Sequence, residues 1–140
     1  HIGSQITELT PFRNAFTKVA DLLEKLTDAG HNITTLDLGG GLGIPYGPED
    51  APPPSPEDYA DLIDEIFGDS GCRIFLEPGR LIAGNAGILV TSVIRTKKGE
   101  AKNFIIVDAA MTELMRPTLY GAYHDIQAVI TKGNALGAYL

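Results

Sequence analysis

Residues 36–47, LDLGGGLGIPYG, place three consecutive glycines directly after a short alternating apolar segment. Leu36 and Leu38 alternate with Asp37, as in a strand, and the strand must stop where Gly39, Gly40 and Gly41 begin. Upstream, Thr10 reads as an N-cap with Pro11 at the first helical position. Phe12, Phe16, Val19, Leu22, Leu23 and Leu26 follow at helical spacing until Gly30 ends the helix. Downstream, the segment 46–60 holds five of the nine prolines and reads as a loop. It closes on Ser55 as N-cap, Pro56 as N1 and Asp58 at N3, opening a second helix with an apolar stripe of Tyr59, Leu62, Ile63, Ile66 and Phe67. The next apolar run, Ile74, Phe75 and Leu76, is continuous, as in a parallel strand buried on both faces. Helix, strand, helix, strand with short connections is the pattern of a parallel α/β fold, and two strands leave open sheet and barrel equally open.

After LIAGNAG, a short helix by its sequence, the chain changes character. GILVTSVIRT and KNFIIVDAA read as two strands joined by a turn at Lys98 and Gly99. The boundary is expected near residue 86, giving an α/β segment at 1–86 and a β-rich segment at 87–140. With 44% hydrophobic and 21% charged residues the chain is in the globular range. Eleven Lys and Arg against 18 Asp and Glu leave a formal net charge of −7, which argues against nucleic acid or an anionic membrane as partner and for a small molecule. The single cysteine, Cys72, has no internal partner, and no run approaches the roughly 20 apolar residues of a membrane helix. A reducing, cytoplasmic setting is expected. A start at His1 without Met reads as a cut fragment.

Three stretches carry chemistry. The glycine triplet would let an anion approach backbone N–H groups at a strand's carboxyl end, although a tight turn uses the same residues. Ile44 stands where a dinucleotide fingerprint needs its third glycine, and the lysine and hydroxyl of a P-loop are missing. LEPGR, at 76–80, also ends a strand, so Glu77 offers a carboxylate and Arg80 a planar fork at the same face as the glycines. In MTELMRPTLYGAYH, at 111–124, Arg116 and Tyr120 read equally as binding groups or, with Leu114, Met115 and Leu119, as packing and surface. No Cys and His spacing resembles a zinc site.

Four motifs in order, HIGSQ at 1–5, LDLGGGLGIPY at 36–46, LEPGR at 76–80 and VDAAMTELMRPTLYGAYH at 107–124, resemble the diaminopimelate decarboxylase family, pyridoxal-phosphate enzymes of the alanine-racemase-like fold type. The resemblance extends over residues 1 to about 126. It implies an α/β fold: the C-terminal part of a pyridoxal 5'-phosphate-binding (β/α)8 barrel, followed by the beginning of a C-terminal β-domain. It implies loss of the α-carboxylate of meso-diaminopimelate to give L-lysine in lysine biosynthesis, by a homodimer with shared active sites. Ornithine or arginine decarboxylases share the glycine triplet and the Glu-Pro-Gly-Arg element, and a decarboxylase of another basic amino acid or carboxylated polyamine is the alternative within this chemistry. A non-catalytic phosphate-binding half-barrel is the alternative outside it.

Position by position, the resemblance assigns His1 to one face of the cofactor ring and Ser4 to its phosphate. Gly39, Gly40 and Gly41 would donate to that phosphate, and Glu77, with Pro78 and Gly79 beside it, would face the ring nitrogen. Arg80 would serve the cofactor loop and a substrate carboxylate, and Arg116 and Tyr120 would grip the distal end of the substrate. The family's cofactor-bearing lysine precedes the HIGSQ motif, and none of Lys18, Lys25, Lys97, Lys98, Lys102 or Lys132 stands in a matching motif. The family's late cysteine and tyrosine are also unmatched, and ITKGNALGAYL does not continue the pattern. The isolated chain is therefore expected to be catalytically silent.

Overall fold

The computed structural model describes residues 1–129; Lys132 and the whole ITKGNALGAYL tail lie outside the described residues. The elements divide into two units, His1–Gly87 and the segment from Ile88 onward. In the first, α1 (Thr10–Asp28), β1 (Thr35–Asp37), α2 (Pro56–Phe67), β2 (Arg73–Phe75) and the short α3 (Arg80–Ala83) follow in chain order. β1 and β2 pair in parallel with Leu36 opposite Ile74. Backbone bonds extend the ladder past both strands: Leu38 N–H donates to Phe75 O at 3.0 Å and Glu77 N–H to Gly39 O at 2.8 Å. The glycine loop and Glu77 are thus fastened by the sheet itself.

Local signals act at the helix ends as their chemistry requires. Ser55 and Asp58 form a reciprocal capping box: the Ser55 hydroxyl accepts from Asp58 N–H, and the Asp58 carboxylate accepts from Ser55 N–H. The Ser55 hydroxyl also donates to that carboxylate, and these bonds hold Asp58 below the usual carboxylate range. At the end of α1, Gly30 takes φ +86° and its N–H donates to Thr27 O, while His31 N–H donates to Leu26 O, closing the helix as a Schellman turn. The start of α1 differs from expectation by one residue. Leu9, whose carbonyl accepts from Arg13 N–H, is the cap, with no side-chain capping bond, and Thr10 is already helical. Proline lacks only an N–H that the first turn leaves unbonded anyway, so Pro11 fits one place further in.

The core of this unit is an aromatic cluster between α1 and α2. Phe12 meets Tyr59 edge-on at 4.9 Å between ring centroids, and Phe16 meets Phe67 edge-on at 5.9 Å. Leu62, Ile63 and Leu42 complete it, and Leu36 and Ile74 pack against it from the sheet. Leu22 lies outside this stripe and is 54% exposed, because a residue adjacent to Leu23 is turned about 100° around the helix. Arg13 and Glu65 join the two helices at the surface through paired bonds of 2.5 and 2.7 Å.

The Tyr59 hydroxyl has no hydrogen-bond partner among the described residues although the residue is only 7% exposed. Burial also pushes its phenol pKa up. Tyr59→Phe removes an unsatisfied group and keeps the ring, so it is expected to stabilise the unit by about 0.5–1 kcal/mol in urea unfolding. A loss of stability would show that the hydroxyl is satisfied in solution.

β2 departs from the expectation of burial on both faces: Phe75 and Leu76 are 43% and 45% exposed. α1 and α2 cover the face that carries Leu36 and Ile74, and among the described residues no element covers the face that carries Phe75. In the second unit β3 (Val93–Lys98) and β4 (Asn103–Val107) form an antiparallel hairpin with an irregularity between Val93 and Arg95. Its turn closes with Gly99 N–H donating to Lys102 O at 3.1 Å. The carboxylate of Asp108 ties the strand entry by accepting from the Thr91 hydroxyl and Ser92 N–H, which hold it below its usual range. α4 (Arg116–Tyr120) follows and ends at Gly121 with φ +58°.

Candidate functional site

The carboxyl ends of β1 and β2 and the N-terminal segment meet at one place. Ile6 N–H donates to Gly41 O at 2.9 Å and Gly43 N–H to Ile6 O at 3.0 Å, so residues 1–6 lie alongside the glycine loop as β2 lies on its other side. Between them is a cleft of about 210 Å³ lined by His1, Gly3, Ser4, Gln5, Gly40, Gly41, Leu42, Glu77, Gly79 and Arg80.

The three glycines are required for three different reasons. A Cβ at Gly40 would fall inside the carbonyl of Glu77, so β1 and β2 can close together only if that residue has no side chain. Gly41 adopts φ +110°, and a Cβ there would stand 2.8 Å from Gly3 O, so it admits the N-terminal segment. Gly39 meets nothing within 4 Å but takes φ +70°. Its N–H donates to the Asp37 carboxylate at 2.8 Å, and it does not line the cleft. Of the three glycines expected to donate to an anion, Gly39 thus has its N–H engaged by Asp37. The N–H groups of Gly40 and Gly41 have no partner among the described residues, and both glycines line the cleft.

Around these donors stand the polar groups. Glu77 is exposed, and its carboxylate makes no hydrogen bond or ion pair among the described residues. Arg80 is half-buried; its Nη1 donates to Gln5 Oε1 at 3.2 Å, and its guanidinium lies 5.9 Å from the centroid of the Tyr46 ring. His1 and Ser4 are exposed on the cleft. Pro78 connects Glu77 to Gly79 without lining the cleft. A second cleft, about 440 Å³, shares Gln5 and is lined by that residue with Thr7, Glu8, Ile44, Asp50 and Ala51. Although larger, it carries the carboxylates of Glu8 and Asp50, which disfavour an anion. The Asp50 carboxylate is moreover already used by the N–H groups of Gly47 and Tyr46, which hold its pKa below the usual range. Unpaired backbone N–H groups of the kind that suit an anion line the smaller cleft.

Gln5 was not among the residues expected from sequence, where its only signal is its place in HIGSQ. Arg116 and Tyr120 lie in the second unit on one face of α4, with the guanidinium 5.9 Å from the tyrosine ring centroid. Of the neighbouring apolar residues, Leu114 is half-buried, while Met115 and Leu119 are exposed. Among the described residues there is no group of three or more His, Cys, Asp or Glu side chains that could hold a metal, and no helix is long and apolar enough to cross a membrane.

Comparison with known proteins matches residues 1–84 to the family described as pyridoxal-dependent decarboxylase, pyridoxal binding domain. The chain is 53% identical over 132 residues to a diaminopimelate decarboxylase of Aquifex aeolicus, covering 94% of this chain and 31% of that protein. It is 49% identical to one from Zymomonas mobilis, over 92% of this chain and 31% of that relative. Among solved structures, the diaminopimelate decarboxylase of Helicobacter pylori complexed with L-lysine superposes with a TM-score of 0.86 at 38% identity, over 94% of this chain and 32% of that one. A lysine/ornithine decarboxylase of Vibrio vulnificus complexed with cadaverine, at 23% identity and a TM-score of 0.78, shares the fold. The chain spans about a third of the length of the curated relatives it matches. With a family match over most of the unit that builds the cleft, and relatives that continue the likeness beyond it, the chain belongs to the pyridoxal-dependent decarboxylases and has their alanine-racemase-like α/β fold.

Proposed function

We propose that the protein carrying this chain decarboxylates meso-2,6-diaminopimelate to L-lysine and carbon dioxide with pyridoxal 5'-phosphate, and that the smaller cleft receives the cofactor. The observation that carries this reading is the meeting of two unpaired glycine N–H groups, a free carboxylate and a half-buried arginine in one cleft. The donor set fits the group: N–H donors suit a phosphate, and a carboxylate suits a protonated ring nitrogen. Gly40, Gly41 and Ser4 would hold the phosphate, His1 would cover a ring face, and Glu77 would keep the ring nitrogen protonated. The cofactor, when bound, supplies an electron-withdrawing ring that takes up the electron pair left as the carboxylate departs. Arg80 would bind a carboxylate, and Arg116 with Tyr120 the distal end of the substrate. A dicarboxylic substrate gives both arginines an anionic partner, which ornithine or arginine would not.

Residues 1–86 are read as the C-terminal portion of a (β/α)8 barrel and residues 87–140 as the start of a β-domain, which gives the uncovered Phe75 face a place inside a barrel. The enzyme is read as a cytoplasmic homodimer with shared active sites. The test is carbon dioxide release by the whole protein from meso-diaminopimelate, ornithine and arginine, with and without added pyridoxal phosphate. Cofactor-dependent release from meso-diaminopimelate at least about tenfold faster than from the other two is expected. Faster turnover of ornithine or arginine would assign the protein to the alternative chemistry, and cofactor binding without any turnover would leave a non-catalytic phosphate-binding protein.

A further inference from the structure

The Gln5 side chain hydrogen-bonds to both of the other cleft segments. Its Nε2 donates to Ile44 O at 2.6 Å, and its Oε1 accepts from Ile44 N–H at 3.3 Å and from Arg80 Nη1 at 3.2 Å. The backbone pays for this reach: Gln5 has φ +57°, the left-handed region that residues with a Cβ rarely occupy. The loop is shaped to receive the amide, since a Cβ at Gly43 would stand 3.2 Å from Gln5 Cδ and 3.1 Å from Ile6 O. The Arg80 guanidinium also lies over the Tyr46 ring, 5.9 Å from its centroid. A long, rotamer-rich side chain is thereby given one direction.

We propose that Gln5 is a positioning residue that aims Arg80 into the cleft and thereby sets the affinity for the carboxylate that Arg80 meets. This rests on the reading of Arg80 as a substrate-binding group. Gln5→Leu removes both functions of the amide. Gln5→Glu keeps an oxygen acceptor for Arg80 but sets a carboxylate against Ile44 O. The two variants therefore separate aiming of the arginine from clamping of the loop.

The experiment measures KM and kcat for meso-diaminopimelate, pyridoxal phosphate affinity and melting temperature in the whole protein. Gln5→Leu is expected to raise KM about tenfold, as the loss of a hydrogen bond to a charged donor commonly does, with kcat changed less than about threefold. Gln5→Glu recovers most of the lost KM, whatever the loop loses in melting temperature. In an Arg80→Lys background, Gln5→Leu adds less than about a threefold further rise, because the group it positions is gone. If Gln5→Leu does not fold, Gln5→Asn, which withdraws the amide by one methylene, takes its place with the same expected rise. An unchanged KM with lowered melting temperature, or the same KM rise in both backgrounds, overturns the proposal. A wild type that turns over meso-diaminopimelate while Gln5→Leu behaves identically overturns this inference alone. A wild type inert towards that substrate overturns the functional reading and this inference together.

Discussion

Gly40→Ala is expected to weaken pyridoxal phosphate binding by the whole protein roughly 100-fold, as overpacking worth about 3 kcal/mol would. The added methyl would overlap the Glu77 carbonyl, and both partners in the clash belong to backbone, so no rotamer change relieves it. Relief requires the Glu77 to Gly79 segment to move away from β1. That breaks the bond from Glu77 N–H to Gly39 O and opens the cleft on the side where the carboxylate and guanidinium stand. Gly39→Ala provides the contrast. Nothing lies within 4 Å of its added methyl, so only the φ of +70° is strained, at a cost of about 1–2 kcal/mol in stability. Cofactor affinity should then fall far less than in Gly40→Ala. Equal cofactor affinities of the two variants in a fluorescence titration would contradict the assignment of Gly40 to strand closure.

Glu77→Ala is expected to lower turnover of meso-diaminopimelate by roughly 100-fold or more, the scale on which removal of a positioned electrostatic group acts. The cofactor should be retained, because the donors assigned to its phosphate are elsewhere, on Gly40, Gly41 and Ser4. Glu77 is suited to this role by what it lacks: its side chain has no partner among the described residues, while its N–H is held by Gly39 O. The backbone is therefore fixed and the carboxylate available. Near-normal turnover in the variant would show that the ring nitrogen does not depend on this carboxylate. Loss of the cofactor together with turnover would show that Glu77 holds the group rather than tuning it.

The features legible in the sequence are those whose physics is local. Ser55, Pro56 and Asp58 specify a helix start with atoms three residues apart, and Gly30 specifies a helix end by one dihedral angle. The alternation of Leu36 and Leu38, followed by glycine, was enough to place a strand end. Features that depend on distant chain were read less well. Phe75 and Leu76 form an apolar run whose burial depends on what lies against the sheet, and a run alone does not say. The triplet announced a close approach, but not that Gly40 admits Glu77 and Gly41 admits Gly3, contacts formed with residues 37 and 38 positions away. Gln5 was invisible for the same reason: its bonds reach Ile44 and Arg80, 39 and 75 positions along the chain.

The central claim is that Gly40 and Gly41 present their free N–H groups to a phosphate while Glu77 faces the ring attached to it. A crystal structure of the whole protein with pyridoxal phosphate tests this directly. The account predicts phosphate oxygens within hydrogen-bonding distance of Gly40 or Gly41 N–H and the ring nitrogen within hydrogen-bonding distance of the Glu77 carboxylate. A phosphate bound in the larger cleft beside Glu8 and Asp50, or a ring nitrogen turned away from Glu77, would contradict it.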